Sequence, residues 1–224
     1  MKKIVTIVAT FAIIANAMAQ SPSIHANVMG GFNLSNFAKS EMSNKLCYQF
    51  GAGADIALSV GTNELHLMPA IMYITKGAKA TRKETWNALG VGTVTWKEVA
   101  DLHQIAVPIR IGMCFNKEAS TRLIPYVGFY FAHCTKFNYK STSEETHYGG
   151  ATTSIGDSEI DFIEDGQVKS SDGGFDIGIR TEFRQIHLFL DLEWQRTLTK
   201  NLTYESEEDG PKYSSIMLSV GYQF

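Results

Sequence analysis

The chain has 224 residues, 44% of them hydrophobic, and sets 20 Lys and Arg against 23 Asp and Glu for a formal net charge of −3. That length suits one domain with a proper core or one closed barrel, and the absence of a basic run argues against a nucleic-acid partner. Three cysteines, Cys47, Cys114 and Cys134, are too few and too widely spaced for a disulfide framework or a C-x-x-C metal site, so they read as packing residues.

Lys2 and Lys3 precede an apolar run from Ile4 to Ile14 and the small-residue stretch Ala15 to Ala19. This is the pattern of a secretory signal peptide, residues 1–19, cut after Ala19, because Ala17 and Ala19 occupy the two positions that must be small. Loss of the two lysines takes the net charge from −3 to −5 for a mature domain of residues 20–224. Gln20, Ser21 and Pro22 follow the cut without a cysteine, so no lipid anchor is expected.

Beyond that segment no run approaches the 18 or so apolar residues that a membrane helix needs. Period-2 alternation recurs instead, the mark of strands with two unlike faces. Residues 24–35 open the series, with Ile24, Val28, Phe32 and Leu34 in one phase. Next, Leu46, Tyr48, Phe50, Ala52, Ala54, Ile56, Leu58 and Val60 alternate with Cys47, Gln49, Gly51, Gly53, Asp55, Ala57 and Ser59. Residues 64–76 have apolar side chains in both phases, whereas Ile105, Val107, Ile109, Ile111 and Met113 alternate cleanly despite Pro108, a residue usual at edges or bulges. Residues 122–137 set Val127, Phe129 and Phe131 against Tyr126 and Tyr130, which suits a wall with aromatic rings at its borders. Phe175 to Phe183, Leu188 to Trp194 and Ile216 to Phe224 complete eight strands.

Long polar connections at 36–44, 77–100, 138–172 and 197–212 alternate with tight ones at Gly61 to Asn63, Asn116 to Ser120 and around Gln185. The expected fold is all-β, an eight-stranded antiparallel up-and-down transmembrane β-barrel with short periplasmic turns and long extracellular loops. A barrel of that size is just wide enough for its own side chains, so no open pore is expected. Opposed residues of an antiparallel pair share a face. Counting back from the turn at Gln185 therefore sets Phe183 against Leu188, Glu182 against Phe189 and Arg180 against Asp191, with a two-residue slip giving Glu193 instead. The expectation is a structural ion pair in the lumen between Arg180 and Asp191, or failing that Glu193.

The mature chain resembles the PorT-like outer-membrane β-barrel proteins of Bacteroidetes over residues 24–224. The matching pieces are GFNLSNF (31–37), LMPAIMYITKGAKA (67–80), IAVPIRIGM (105–113), IPYVGFYF (124–131), LFLDLEWQRTLTKNL (188–202) and SVGYQF (219–224). The resemblance accounts for Pro108 and implies outer-membrane location more firmly than any task. It departs at Ala70, where the family commonly has Glu, and at Glu193 and Trp194, where it often has Arg-Tyr. Phe224 is similar to the terminal aromatic that the outer-membrane assembly machinery recognises.

No catalytic, cofactor or metal site is expected. Asp157, Glu159 and Asp161 look like the start of a calcium loop but lack its glycine and its closing Glu, and read as the solvated face of a strand beyond the membrane. His25, His66, His103, His133, His147 and His187 show no H-E-x-x-H or i, i+4 spacing. There is no G-x-S-x-G elbow and no P-loop. Lys76, Lys79, Arg82 and Lys83 make one outer connection basic, while Glu144, Glu145, Asp157, Glu159, Glu205, Glu207, Glu208 and Asp209 make others acidic, so opposite-sign loops are expected to meet at the rim.

The function expected is non-enzymatic, in envelope structure, adhesion or a secretion apparatus. The expected partners are outer-membrane lipid, lipopolysaccharide, the assembly machinery and an envelope or secretion component. A lipid-modifying enzyme on the same scaffold, using His133 or His147, and a soluble lipocalin-like carrier are the alternatives.

Overall fold

The computed structural model describes residues 22–38, 42–86, 92–115, 117–147, 152–161, 170–198 and 212–224. The expected signal peptide, Phe162 and the acidic residues from Glu205 to Asp209 lie outside them. The strands are β1 Ser23–Ala38, β2 Ser43–Val60, β3 Asn63–Trp86, β4 Gly92–Cys114, β5 Thr121–Thr146, β6 Thr152–Asp161, β7 Ser171–Phe183, β8 Leu188–Thr197 and β9 Lys212–Gln223.

Eight of these close an antiparallel ring in the order β1-β2-β3-β4-β5-β7-β8-β9, with β1 bonded to both β2 and β9. The ring has an apolar outside. Phe32 pairs with Leu218, Leu218 with Leu192 and Leu192 with Ile179, and all four side chains are exposed. The interleaved positions are buried in the lumen, from Asn27, Met29 and Asn33 on β1 to Ser215, Met217 and Ser219 on β9. This arrangement excludes the soluble carrier, whose greasy face would point inward.

Tight turns join β2 to β3, β4 to β5 and β7 to β8 at one end, where Gly61 takes φ 65°, a left-handed conformation that costs glycine nothing. Pro108 pairs with Tyr130 on β5, while the β3–β4 ladder skips from Pro69↔Ile109 to Met72↔Ala106. The missing amide thus faces the interrupted side.

The opposite end departs from expectation. Residues 77–100 and 138–172 are largely strand: β3 and β4 stay paired up to Trp86↔Gly92, and β5 and β6 up to Thr146↔Thr152. The ninth strand, β6, pairs only with the far half of β5, so β3, β4, β5 and β6 form a four-stranded sheet above the ring. From Ala80 to Trp86, at about 3.3 Å per residue, that sheet rises roughly 20 Å past the last β2–β3 pair. Hydrophobic alternation misses such strands because both faces meet water. Their signal is β-branched content, with Thr85, Thr93, Thr146 and Thr152 forming one row across the sheet.

Two further readings are corrected. Tyr126 and Tyr130 are buried in the lumen rather than set at the wall borders, because they share the phase of Ile124 and Ala132. Lys76, expected in an outer loop, is 1% exposed inside the barrel, since β3 carries its inward phase past Ile74.

Leu192 lies within the outward stripe, so Leu192→Arg should cost about 2–4 kcal/mol more than Leu192→Ala, the penalty for a cation near the bilayer midplane. Denaturant unfolding from liposomes checks this, and equal costs would mean that this stripe does not face lipid.

Candidate functional site

Glycines make room for the large lumen side chains. Tyr126 stands opposite Gly178, Tyr130 opposite Gly174 and Phe189 opposite Gly221. A Cβ added at Gly221 would come within 2.1 Å of the Phe189 ring, and one at Gly178 within 2.5 Å of Tyr126. The rings therefore lie flat across the smallest positions of the neighbouring strand and fill the interior.

Charged groups occupy what remains, in three tiers. Nearest the tight turns, Arg122 on β5 donates from Nη1 to Glu64 at 2.6 Å and from Nε to Glu182 at 3.1 Å. Beside them His66 Nδ1 lies 2.8 Å from Asp55 Oδ1.

In the middle, Arg180 Nε and Nη2 donate to the two oxygens of Asp191 at 3.0 and 2.8 Å, a bidentate pair between directly opposed residues. Arg180 also reaches Asp55 at 3.7 Å and lies 4.1 Å over the Phe189 ring. Glu193 is held instead by Arg110, at 2.7 Å, and by the Tyr126 hydroxyl, which donates at 2.9 Å. Asp176 lies 3.6 Å from Arg110 Nε.

Toward the outer end, Lys76 Nζ lies 3.9 Å from Asp172 and 4.7 Å over the Tyr130 ring. Gln104 stands between Lys76 and Asp172, and the Tyr130 hydroxyl meets Thr197 at 2.9 Å.

Periodicity along single strands did not reveal the tiers themselves. Asp55, His66 and Glu182 come from three strands, and Arg110 meets Glu193 across the lumen. A usable signal existed, since ionisable residues keep recurring in the inward phase of otherwise apolar strands. At the rim, Lys45 bonds Asp101, and in the upper sheet Lys97 meets Glu144 at 2.8 Å. These opposite charges pair between strands.

Phe224 continues the outward face. Its amide donates to the Ala26 carbonyl at 2.8 Å, its ring meets Tyr222 edge-on at 5.2 Å, and its side chain is exposed. His133 is exposed on the outward face opposite Ser171, and His147 lies 3.8 Å from Glu145. Among the described residues no hydrogen bond joins His133 to a hydroxyl or carboxylate.

Arranged this way, the lumen is a plug of paired charges and rings. It ties facing walls together, through Arg180 with Asp55 and Arg110 with Glu193.

The family model for the outer membrane protein beta-barrel domain matches residues 18–203. Among solved structures, Neisserial surface protein A is 11% identical with a TM-score of 0.41, covering 92% of this chain and 100% of that one. Ail, the attachment invasion locus protein of Yersinia pestis, is 8% identical with a TM-score of 0.38, again covering 92% and 100%. No curated protein sequence matches the chain significantly.

Removing one partner from a buried, bonded ion pair costs about 3–5 kcal/mol, because the other charge is left uncompensated. Arg180→Ala should fall in that range, and adding Asp191→Asn should recover part of the loss, with a coupling of about 1–3 kcal/mol. A double-mutant cycle measured by unfolding in detergent reads this, and strict additivity would show that the pair does not act as a unit.

Proposed function

Since the chain belongs to the outer membrane β-barrel domain family, we propose that it is a non-enzymatic barrel in that membrane whose plugged ring anchors a β-sheet presented outside the cell. It is exported by its signal peptide and inserted by the outer-membrane assembly machinery, with Phe224 as part of the recognised end. Its place is within the PorT-like group. The observation that supports this reading is the contrast between the two ends. The lumen is packed with rings and ion pairs, whereas four strands continue into solvent as an ordered sheet of Thr, Ser and charged residues. A channel has no use for the first feature, and a mere membrane filler has none for the second.

The task that fits is contact: adhesion, envelope attachment or docking of a secretion component. On this reading lipopolysaccharide surrounds the base of the sheet, and the exposed Lys79 and Lys83 on β3 would meet its phosphates. A lipid-modifying enzyme is the second reading, favoured by His133 standing opposite Ser171 on the outward face. It lacks a carboxylate bonded to His133 to orient the base, so the anchoring role is preferred.

Planar bilayers with the folded protein should show little steady conductance, and a large stable pore would overturn the plugged anchor. In whole cells, Ser154→Cys on β6 should react with a membrane-impermeant maleimide while Glu118→Cys in the tight β4–β5 turn should not. Replacing residues 80–98 and 137–169 with short turns should leave an inserted, heat-modifiable barrel but lower adherence to glass and to sister cells. Unchanged adherence would count against the sheet as the contact surface. Phe224→Asp should leave export intact and cause accumulation in the periplasm, as cell fractionation would show. Normal outer-membrane levels would remove Phe224 from the assembly step.

A further inference from the structure

At the turn-bearing end of the lumen, β2, β3 and β7 deliver Asp55, His66 and Glu182 to one point. Each offers a ligand atom, and these atoms all lie within 4.8 Å of one another. The three are buried, with exposures of 1%, 0% and 2%. Within the group Asp55 Oδ2, Glu182 Oε1 and His66 Nε2 have no hydrogen-bond partner. Buried polar atoms are normally satisfied, and an unsatisfied carboxylate oxygen is expensive. Here two such oxygens belong to residues that the His66 ring joins in one cluster.

The Arg residues nearby do not resolve the imbalance. Arg122 is engaged by Glu64 and Glu182, and Arg180 by Asp191 with Asp55 at 3.7 Å. Four carboxylates, Asp55, Glu64, Glu182 and Asp191, thus share two guanidinium groups, leaving a surplus of two negative charges beside a neutral His66 imidazole. A divalent cation matches that surplus.

We propose that Asp55, His66 and Glu182 form a binding site for a first-row divalent metal, with Zn²⁺ as the preferred ion. One imidazole nitrogen and two carboxylate oxygens suit zinc, whereas magnesium and calcium favour all-oxygen shells. Asp55 Oδ1 lies 2.8 Å from His66 Nδ1, so an ion shared by the two residues takes Nδ1 and leaves Nε2 facing Glu64 Oε2 at 3.7 Å. Carboxylates in that position orient metal-ligating imidazoles. A cavity of about 270 Å³ lined by all three residues, together with His25, His187 and Arg122, gives the ion an entry path and room for water as a further ligand. Bound there, the metal joins two adjacent strands to β7 and strengthens the plug.

The test uses the full barrel folded in detergent, stripped with a chelator, then titrated with Co²⁺ and back-titrated with Zn²⁺. The expected result is one Co²⁺ per barrel, a visible d–d absorption band that saturates and is abolished by Zn²⁺, and a higher temperature for loss of the heat-resistant gel band. His66→Gln and Glu182→Gln should each weaken binding by about tenfold or more, while His25→Ala and His187→Ala at the mouth should leave it unchanged. If the lumen variants fail to fold, the wild-type titration decides alone. Absence of a saturable one-to-one band would show that shared protons, not a metal, balance these carboxylates. Binding lost with His25→Ala or His187→Ala instead of His66→Gln would place the ion at the mouth. Either result overturns the proposal.

Discussion

Every backbone amide and carbonyl inside a bilayer must find its partner within the protein, because hydrocarbon offers none. For a chain of strands the solution is closure, and here β1 completes it by bonding to β2 on one side and β9 on the other. Once the ring is closed, the pleat divides its strands into alternating lipid-facing and lumen-facing positions. The rest of the molecule follows from that division. Leu192 and Leu218 lie outside, and Glu193 and Met217 lie inside.

An eight-stranded ring leaves an interior that must be filled, and the filling combines two kinds of contact. Aromatic rings lie over glycines on neighbouring strands, as Phe189 does over Gly221. Charged side chains then bridge the remaining space, as Arg180 does between Asp191 and Asp55. Ion pairs of this kind add modest net stability, since desolvation offsets much of their attraction. Their effect is greater on specificity, because a shifted register would strand Arg180 away from Asp191. Mutual satisfaction is incomplete in two places, around Asp176 and Glu193 in the middle of the lumen and around His66 at the turn-bearing end.

The two ends of the barrel differ in construction. Tight turns close one end, with Gly61 supplying the left-handed conformation that the β2–β3 hairpin needs. At the other end β3, β4 and β5 outrun their neighbours and recruit β6, making a sheet with water on both faces. Such a sheet has no apolar core of its own to bury. It is held by its ladders, by rows such as Thr85, Thr93, Thr146 and Thr152, and by cross-strand charges such as Lys97 with Glu144. The rigidity of the plugged ring below supplies its foundation.

Much of this was legible in the linear order of residues. Period-2 alternation names the strands and their lipid face, because the bilayer demands a continuous apolar outside. Alternating tight and long connections give the up-and-down path. Counting from the 184–187 turn sets Arg180 opposite Asp191, since a short turn leaves few registers and lipid rejects half of them. Three things were decided only when the ring closed. Of the upper sheet only the strand at Asp157 to Asp161 was read beyond the membrane, because strands wetted on both faces carry no hydrophobic period. Lys76 was read into an outer loop and Tyr126 and Tyr130 as rings at the wall's borders, whereas all three side chains are buried in the lumen. The convergence of Asp55, His66 and Glu182 depends on which strands face each other across the interior, a relation set by closure and not by spacing along the chain.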